Sequence, residues 1–173
     1  MTPDLGAYFA TYVPSWIRAS VVEVDPEGGA PSIEAGTAAV LLLDIAGFTE
    51  ITDRLAQKGE SGAEQLSVLL NDCFAILTEV VDAHGGDIAV FTGDGFIALW
   101  EATECTEASR AATQCALALR EAMDGWAHSS GSRLRQRISV DVGTVYYCRL
   151  GGHGGSPSWF SNSAAAVTRA TGW

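Results

Sequence analysis

The sequence predicts an α+β protein, a ferredoxin-like sandwich in which helices pack on one antiparallel sheet. Three patterns support this fold class: an apolar run at 38–43, two long amphipathic segments at 62–84 and 106–126, and a strand–turn–strand pattern between them. The order strand, helices, hairpin, helix, strand, helix matches that sandwich. A chain of 173 residues is long enough for one such domain with a substantial core.

The N-terminal part of the chain is predicted to be an arm and a linker that precede the domain. Residues 8–18 form a short amphipathic segment interrupted by Pro14, and residues 24–36 contain the prolines and glycines typical of a linker. We therefore expect an arm at 1–37 and one domain at 38–173. The run 38–43 shows no polar alternation and predicts a strand buried on both faces. A helix over 48–57 should follow the turn at Gly47.

The other elements follow from hydrophobic periodicity and from turn residues. Apolar residues at 62–84 recur at steps of three and four, and Gly85-Gly86 stand where such a helix should end. The segments 87–91 and 96–100 flank a Thr-Gly-Asp-Gly turn and predict a hairpin. A second helix is predicted over 106–126, a strand over 136–147, and a short final helix over 163–171 after a glycine-rich loop at 151–158.

The composition limits the partners that we expect for this chain. Its formal net charge is −11 and 47% of its residues are hydrophobic, which argues against binding to a nucleic-acid backbone. A nucleotide would be repelled unless metal ions mediate its binding. No apolar run reaches the about 18 residues of a membrane span, and no basic start precedes an apolar segment, so we expect no membrane anchor.

The four cysteines are Cys73, Cys105, Cys115 and Cys148, which lie far apart without a Cys-x-x-Cys pair. Cys73 and Cys115 fall on the apolar faces of predicted helices and are interpreted as small core residues. A disulfide framework is therefore not expected, and this cysteine usage fits a reducing cytoplasm best.

Two aspartates stand at positions that suggest a metal site. Asp44 ends the first apolar run, and Asp94 lies in the turn of the hairpin. If the two strands are neighbours, the carboxylates lie side by side and repel each other unless a divalent cation separates them. Oxygen ligands of this kind suit Mg²⁺ or Mn²⁺. The turn of Gly47, Phe48 and Thr49 begins a helix, whose first N–H groups can hold a phosphate.

Each aspartate alone also has a simpler interpretation. Asp94 can be an ordinary turn residue, because Asp-Gly is common in hairpins. Asp44 can cap the helix that follows it. The two aspartates in this order, with the glycine turn between them, favour the nucleotide–metal site.

The two aspartate motifs resemble those of a known enzyme family. "LLLDIAGFT" followed by "GGDIAVFTGDGFIALW" is similar to the catalytic domain of class III adenylyl cyclases, over residues 38–173. The nearest subgroup is formed by the half-domains of the bicarbonate-responsive soluble adenylyl cyclases and their bacterial relatives. The resemblance implies a sandwich of the class III nucleotide cyclase type, in which two domains pair head to tail. It also implies a site at their interface that converts ATP to cyclic AMP and pyrophosphate with two Mg²⁺ or Mn²⁺ ions, while GTP is not excluded as the substrate.

The resemblance assigns roles to individual positions of this chain. The metal ligands would be the side chains of Asp44 and Asp94 and the backbone carbonyl of Ile45. The transition-state arginine would be Arg169. The triphosphate would lie on the backbone of Gly47, Phe48 and Thr49.

Three positions depart from the family pattern. Val90 stands four residues before Asp94, where the family has a purine-selecting lysine, and this substitution also removes a residue that helps the bicarbonate-responsive relatives bind the anion. Ser158 replaces the second purine-selecting residue, an Asp or Thr. Ala165 replaces the ribose-positioning asparagine four residues before Arg169. A symmetric dimer of this chain would therefore hold the metal half of the site twice and the base-recognition half not at all.

These departures predict that the chain needs a complementary cyclase half-domain, in the same longer polypeptide or as a dimer partner. The sequence also ends before strands that the family places after the last helix, so we expect it to be a fragment. The alternative is a catalytically degenerate module for regulation or dimerisation. Against that alternative, two buried carboxylates would serve no purpose without a metal ion.

Two further families fit the sequence poorly. Diguanylate cyclases need an acidic residue and a phenylalanine directly after Gly-Gly-Asp, where this chain has Ile88 and Ala89. A receiver domain with Asp44 as phosphoacceptor needs a lysine at a later strand end, and Lys58 is the single lysine of the sequence.

Overall fold

A computed structural model describes residues 13–22, 31–124, 134–151 and 158–164 of the 173-residue chain. These residues form one five-stranded antiparallel sheet in the order β2-β3-β1-β4-β5, with helices packed on it. The predicted α+β class is confirmed. The elements are α1 Ser15–Val22, β1 Ser32–Ala46, α2 Phe48–Ala56, α3 Glu60–Ala83, β2 Asp87–Phe91, β3 Gly95–Glu101, α4 Cys105–Asp124, β4 Arg135–Gly151 and β5 Ser158–Ala164.

The central strand β1 is longer than the sequence predicts. It begins at Ser32 rather than at residue 38, so the end of the predicted linker is strand. The backbone from Ser32 to Thr37 pairs with β4 from Arg149 to Thr144, and these ladder hydrogen bonds outweigh the weak strand propensity of the segment. Gly36 has a packing role, because a Cβ atom there would lie 3.2 Å from Cε2 of Tyr147.

The main core lies between the sheet and α2, α3 and α4. Its sheet side includes Leu41, Leu43, Phe96 and Trp100. On the helix side, the buried residues of α3 and α4 recur as both predicted amphipathic segments require. Cys73 and Cys115 are fully buried, as expected. Each buried leucine, isoleucine or phenylalanine contributes about 1.5–3 kcal/mol. The helical residues of this core are Leu69, Cys73, Leu77 and Val81 of α3 and Ala108, Ala112, Cys115, Leu119 and Met123 of α4.

A second, smaller cluster lies on the opposite face of the sheet. It contains Val40, Leu99 and Val145, with Tyr147 packed against them. Because side chains alternate along a strand, Asp44 belongs to the same face as Val40. The second face therefore combines an apolar centre with the candidate metal ligand at the end of β1.

The predicted final helix is wrong at its start. Ser163 and Ala164 belong to β5, where they pair with Tyr146 and Val145. The aromatic residues Trp159 and Phe160 favour a strand, and the ladder with β4 outweighs the helix propensity of the alanine. The remaining residues of the predicted helix, 165–171, lie outside the described part of the chain. In the described residues no helix combines the length and hydrophobicity needed to cross a bilayer.

Candidate functional site

The backbone joins the two predicted metal-binding aspartates. Asp44 pairs with Gly95 across the β1–β3 ladder, and Asp94 is the residue just before Gly95. The N–H of Ile45 donates a hydrogen bond of 3.0 Å to the carbonyl oxygen of Asp94. The two aspartates therefore lie at the same end of neighbouring strands, as the sequence predicts.

Glycines allow the hairpin to approach β1 this closely. Gly93 has a φ of 94°, which residues with a Cβ atom adopt only at a cost. A Cβ atom at Gly95 would lie 2.1 Å from the carbonyl oxygen of Leu43. The N–H of Thr92 closes the turn by donating to the carbonyl oxygen of Gly95 at 2.9 Å. The two glycines beside Asp94 thus have different causes: the turn requires Gly93, and the close contact with β1 requires Gly95.

Asp44 has a cationic neighbour that the sequence analysis missed. Arg137 is its cross-strand partner on β4, and the guanidinium lies 3.7 Å from the Asp44 carboxylate. The Asp44 side chain is 35% exposed and that of Arg137 is 62% exposed. An exposed ion pair of this kind contributes about 0–1 kcal/mol to the free energy of unfolding. A divalent cation can therefore displace Arg137 from the Asp44 carboxylate at little cost. The sequence predicts a strand over 136–147 that contains Arg137, but it does not show that this strand pairs with β1.

The expectation that both carboxylates are buried is wrong. Asp44 and Asp94 are each only partly buried, because they lie at strand ends and not within the sheet. The burial of these carboxylates therefore cannot be used as an argument against the regulatory or dimerisation module, which would bind no metal ion. The simpler interpretation of Asp44 as a helix cap is also wrong, since Gly47 occupies the N-cap position of α2 and no side chain caps it.

The start of α2 has the geometry of an anion site. Gly47 adopts a left-handed conformation with φ 80°, which turns the chain from β1 into the helix. Phe48 is half-buried against the main core, whereas Thr49 is exposed. The first N–H groups of a helix have no partner within the helix and carry a partial positive charge. No side chain caps them here, so a phosphate can bind to them.

The side chains at this end of the sheet fit a metal ion held jointly with a nucleotide. Within the described residues, no group of three or more His, Cys, Asp or Glu side chains is placed to bind a metal. Asp44 and Asp94 with the Ile45 carbonyl supply only oxygen atoms, which Mg²⁺ and Mn²⁺ prefer. Mg²⁺ takes six ligands and often shares them between a few carboxylates and substrate phosphates. The donor set fits that type of site.

Two of the positions predicted for base and ribose recognition lie on β2 and β5, and the others lie outside the described residues. Val90 is 43% exposed on the edge strand β2. Ser158 begins β5 and pairs with Gly151 at the far end of β4. Ala165 and Arg169 lie outside the described part of the chain. The described structure thus contains the predicted metal and phosphate positions as one group.

Comparison with known sequences gives a consistent result. Residues 31–169 match the family model of the adenylate and guanylate cyclase catalytic domain. Adenylate cyclase 1 of Rhizobium meliloti (strain 1021) is 31% identical over 148 residues, which cover 83% of this chain and 21% of that protein. Adenylate cyclase type 10 of Mus musculus is 29% identical over 119 residues, covering 66% of this chain and 7% of that protein. The chain thus spans a small part of the curated relatives that it matches.

Solved structures share the fold. A bacterial light-regulated adenylyl cyclase superposes with a TM-score of 0.73 at 19% identity, covering 96% of this chain and 47% of that one. The adenylyl cyclase CyaB from P. aeruginosa gives a TM-score of 0.64 at 21% identity, covering 81% and 71%. The guanylate cyclase domain of RhGC from Catenaria anguillulae in complex with GTP gives 0.66 at 18%, covering 80% and 72%. The sequence match over most of the chain and this shared fold agree, and the chain belongs to the family of adenylate and guanylate cyclase catalytic domains.

Proposed function

We propose that this chain is the metal-binding half of a dimeric site that converts ATP to cyclic AMP and pyrophosphate. The observation that carries the proposal is the backbone hydrogen bond from Ile45 to Asp94, because together with the Asp44–Gly95 pair it brings both aspartates to one end of the sheet. The curated relatives are named adenylate cyclases, which supports ATP as the substrate. One structural neighbour was solved with GTP, so GTP is the competing substrate in any assay.

Each residue of the site has a proposed role. Asp44, Asp94 and the Ile45 carbonyl would hold two Mg²⁺ or Mn²⁺ ions, and the first amides of α2 would hold a phosphate. When bound, such ions neutralise phosphate charge and lower the pKa of a coordinated hydroxyl. Arg137 lies beside Asp44, and its exposed guanidinium would contact the phosphate oxygens of a nucleotide bound there.

The rest of the site is proposed to come from a second cyclase domain. Val90 cannot donate a hydrogen bond to a purine ring, and Ala165 cannot position a ribose hydroxyl. Arg169 is the proposed transition-state arginine, which this chain would contribute to a site shared with its partner. The guanylyl cyclase domain of the RhoGC fusion protein from Blastocladiella emersonii, a structural neighbour, is a non-canonical dimer, which supports pairing in some form. The partner would be a half-domain with the missing lysine and asparagine, in the same longer polypeptide or as a separate chain.

The proposed location of this domain is the cytoplasm. All four cysteines are unpaired thiols, and two of them lie in the main core. Free thiols persist in a reducing compartment.

A second candidate function is a module for dimerisation or regulation without catalysis. The ion pair with Arg137 favours it, because it gives Asp44 a partner that does not depend on metal. The exposed Val90 favours it too, since the base-recognition position is apolar.

The two candidates differ in an assay of cyclic AMP formation with Mn²⁺ and ATP. The chain is assayed alone and mixed with a half-domain that carries the lysine and the asparagine, and each assay is repeated with Asp94→Ala. The proposed function predicts activity only in the mixture and its loss in Asp94→Ala. An inactive mixture, together with a chain that binds no Mn²⁺, would support the regulatory module.

A further inference from the structure

The first residue of α1 holds the first residue of β2. The backbone N–H of Ser15 and its hydroxyl both donate to the same carboxylate oxygen of Asp87, at 2.7 and 2.8 Å. Pro14 precedes this helix, and its carbonyl oxygen accepts the N–H groups of Ile17 and Arg18 at 3.1 Å. A carboxylate at a helix N-terminus is favoured by the partial positive charge there. Asp87 thus acts as a cap for α1 that comes from a distant strand.

A second contact links α1 to β4, beyond β3 and β1 in the sheet. The rings of Trp16 and Tyr147 lie 5.3 Å apart, and the edge of the Tyr147 ring lies against Gly36 of β1. Burial raises the pKa of the Tyr147 hydroxyl above its ordinary range, and the nearby Glu101 and Asp87 carboxylates raise it further. The hydroxyl therefore stays neutral beside the Asp87 carboxylate. As a result α1 contacts both β2 and β4, which flank the pair β3–β1 that leads to the metal site.

An open space lies beside the Ser15–Asp87 contact. A cavity of about 670 Å³ lies between α1, α3 and β2, lined by Pro14, Arg18, Asp82, Ile88 and Phe91 among others. In the described structure, the Ser15–Asp87 hydrogen bonds thus lie beside an open space and not within a packed apolar interface.

The strand that Asp87 begins ends at the metal site. β2 has five residues, lies at the edge of the described sheet and pairs only with β3, with an irregular register between Ile88 and Val90. Its far end enters the turn with Asp94. A short edge strand with an irregular register is weakly fixed by its ladder alone.

We propose that α1 is a positioning element for the metal site, and that Ser15 and Asp87 are its positioning residues. By fixing the start of β2, they keep the hairpin in the register that holds Asp94 beside Ile45. This inference rests on the proposed function, because it concerns the same metal site. It adds that loss of the Ser15–Asp87 contact weakens metal binding through β2.

The first test is hydrogen exchange of the Ile45 amide, which needs no metal. Ser15→Pro removes the amide and hydroxyl donors but keeps a residue that suits the first position of a helix. Asp87→Ala removes the acceptor. Losing hydrogen bonds to a charged group predicts about tenfold faster exchange at Ile45 in both variants. Thr113→Ala is the matched control, because it removes one hydroxyl bond, to the Ser109 carbonyl oxygen on α4, far from the hairpin.

The second test is Mn²⁺ affinity, measured with a non-hydrolysable ATP analogue by electron paramagnetic resonance. Both variants should bind Mn²⁺ about tenfold more weakly, whereas Thr113→Ala and the core variant Met123→Ala should bind as the unmodified chain does. Ser15→Thr keeps both donors and should restore the affinity. Unchanged Ile45 exchange, or an equal loss of affinity in Met123→Ala, would overturn the positioning role. An unmodified chain that binds no Mn²⁺ would overturn the proposed function. If Ile45 exchange were still faster in the variants, the Ser15–Asp87 contact would stabilise the hairpin against β1 without serving a metal site.

Discussion

The N–H of Ile45 donates to the carbonyl oxygen of Asp94 at 3.0 Å, and this bond fixes the turn of the β2–β3 hairpin against the end of β1. One residue earlier on β1, Asp44 pairs with Gly95. The geometry of the proposed metal site therefore depends on backbone contacts between two strands that are distant in sequence.

The close approach at Gly95 should not tolerate a side chain. Gly95→Ala places a methyl group 2.1 Å from the Leu43 carbonyl oxygen and should lower the free energy of unfolding by about 1–3 kcal/mol. It should also abolish Mn²⁺ binding, because the hairpin moves away from β1. The control is Gly93→Ala, which meets no atom within 4 Å and costs only backbone strain of about 1–2 kcal/mol. Equal Mn²⁺ affinity in the two variants, measured by calorimetry, would contradict the role of the close approach.

Removing the charge of Asp44 should affect function more than stability. Asp44→Asn breaks an exposed ion pair with Arg137 and should change the free energy of unfolding by less than about 1 kcal/mol. Cyclic AMP formation in the mixture should fall below detection, because an amide is a poor ligand for Mg²⁺. Urea denaturation and the activity assay on the same preparation check both effects. A large loss of stability with retained activity would show that Asp44 is structural.

Arg137 should contribute to the binding of the triphosphate. Arg137→Gln should raise the KM for ATP about tenfold in the mixture, because a charge-assisted contact to phosphate is lost. The matched control is Arg135→Gln, two residues earlier on the same strand, opposite Ala46 instead of Asp44. Steady-state kinetics with both variants test this, and equal KM values would remove Arg137 from the site.

Restoring the family residues should create a complete site. Val90 is 43% exposed, so Val90→Lys should fold normally. As a single change, Val90→Lys should leave the isolated chain inactive. The triple variant Val90→Lys, Ser158→Asp, Ala165→Asn should form cyclic AMP as a homodimer. Val68→Lys, at an equally exposed position on α3, is the control for added charge. Activity of the isolated chain without these changes would show that the assigned positions are wrong.

The buried thiols should resist modification. Burial raises the pKa of Cys73 and of Cys115 from 9.0 to about 11, while Cys105 is exposed. A thiol reagent at pH 8 should therefore label Cys105 at once and the two buried cysteines only after unfolding. Because the pKa of each buried thiol is higher in the folded chain than in the unfolded chain, the protonated thiols contribute fully to the free energy of unfolding below pH 9. This contribution is lost as the pH rises from about 9 to 11. Fast labelling of the Cys105→Ser variant at Cys73 or Cys115 would contradict the burial of these thiols.

Much of the fold could be predicted because its signals are local. The helices α3 and α4 repeat apolar residues over many turns, and the Thr-Gly-Asp-Gly turn marks the hairpin between β2 and β3. The start of β1 and the whole of β5 could not be predicted, since both depend on pairing with a long β4. No pattern within Ser158–Ala164 reveals that ladder.

The candidate site divides in the same way. Asp44, Asp94 and Gly47 are visible in the sequence because they interrupt regular patterns. Arg137 is not, because its relation to Asp44 arises only from the register of β1 and β4. The contact of Ser15 with Asp87 joins two segments that are separated in the sequence by β1, α2 and α3. No spacing rule in the sequence predicts it.

The most direct test of the shared metal site is a Mn²⁺ titration by electron paramagnetic resonance, with a non-hydrolysable ATP analogue present. The chain is compared with Asp44→Ala, Asp94→Ala and the double variant. If the two carboxylates hold the same ions, each single variant should lose Mn²⁺ binding and the double variant should bind no more weakly than either. If one single variant binds Mn²⁺ as tightly as the unmodified chain, the two aspartates do not form one site.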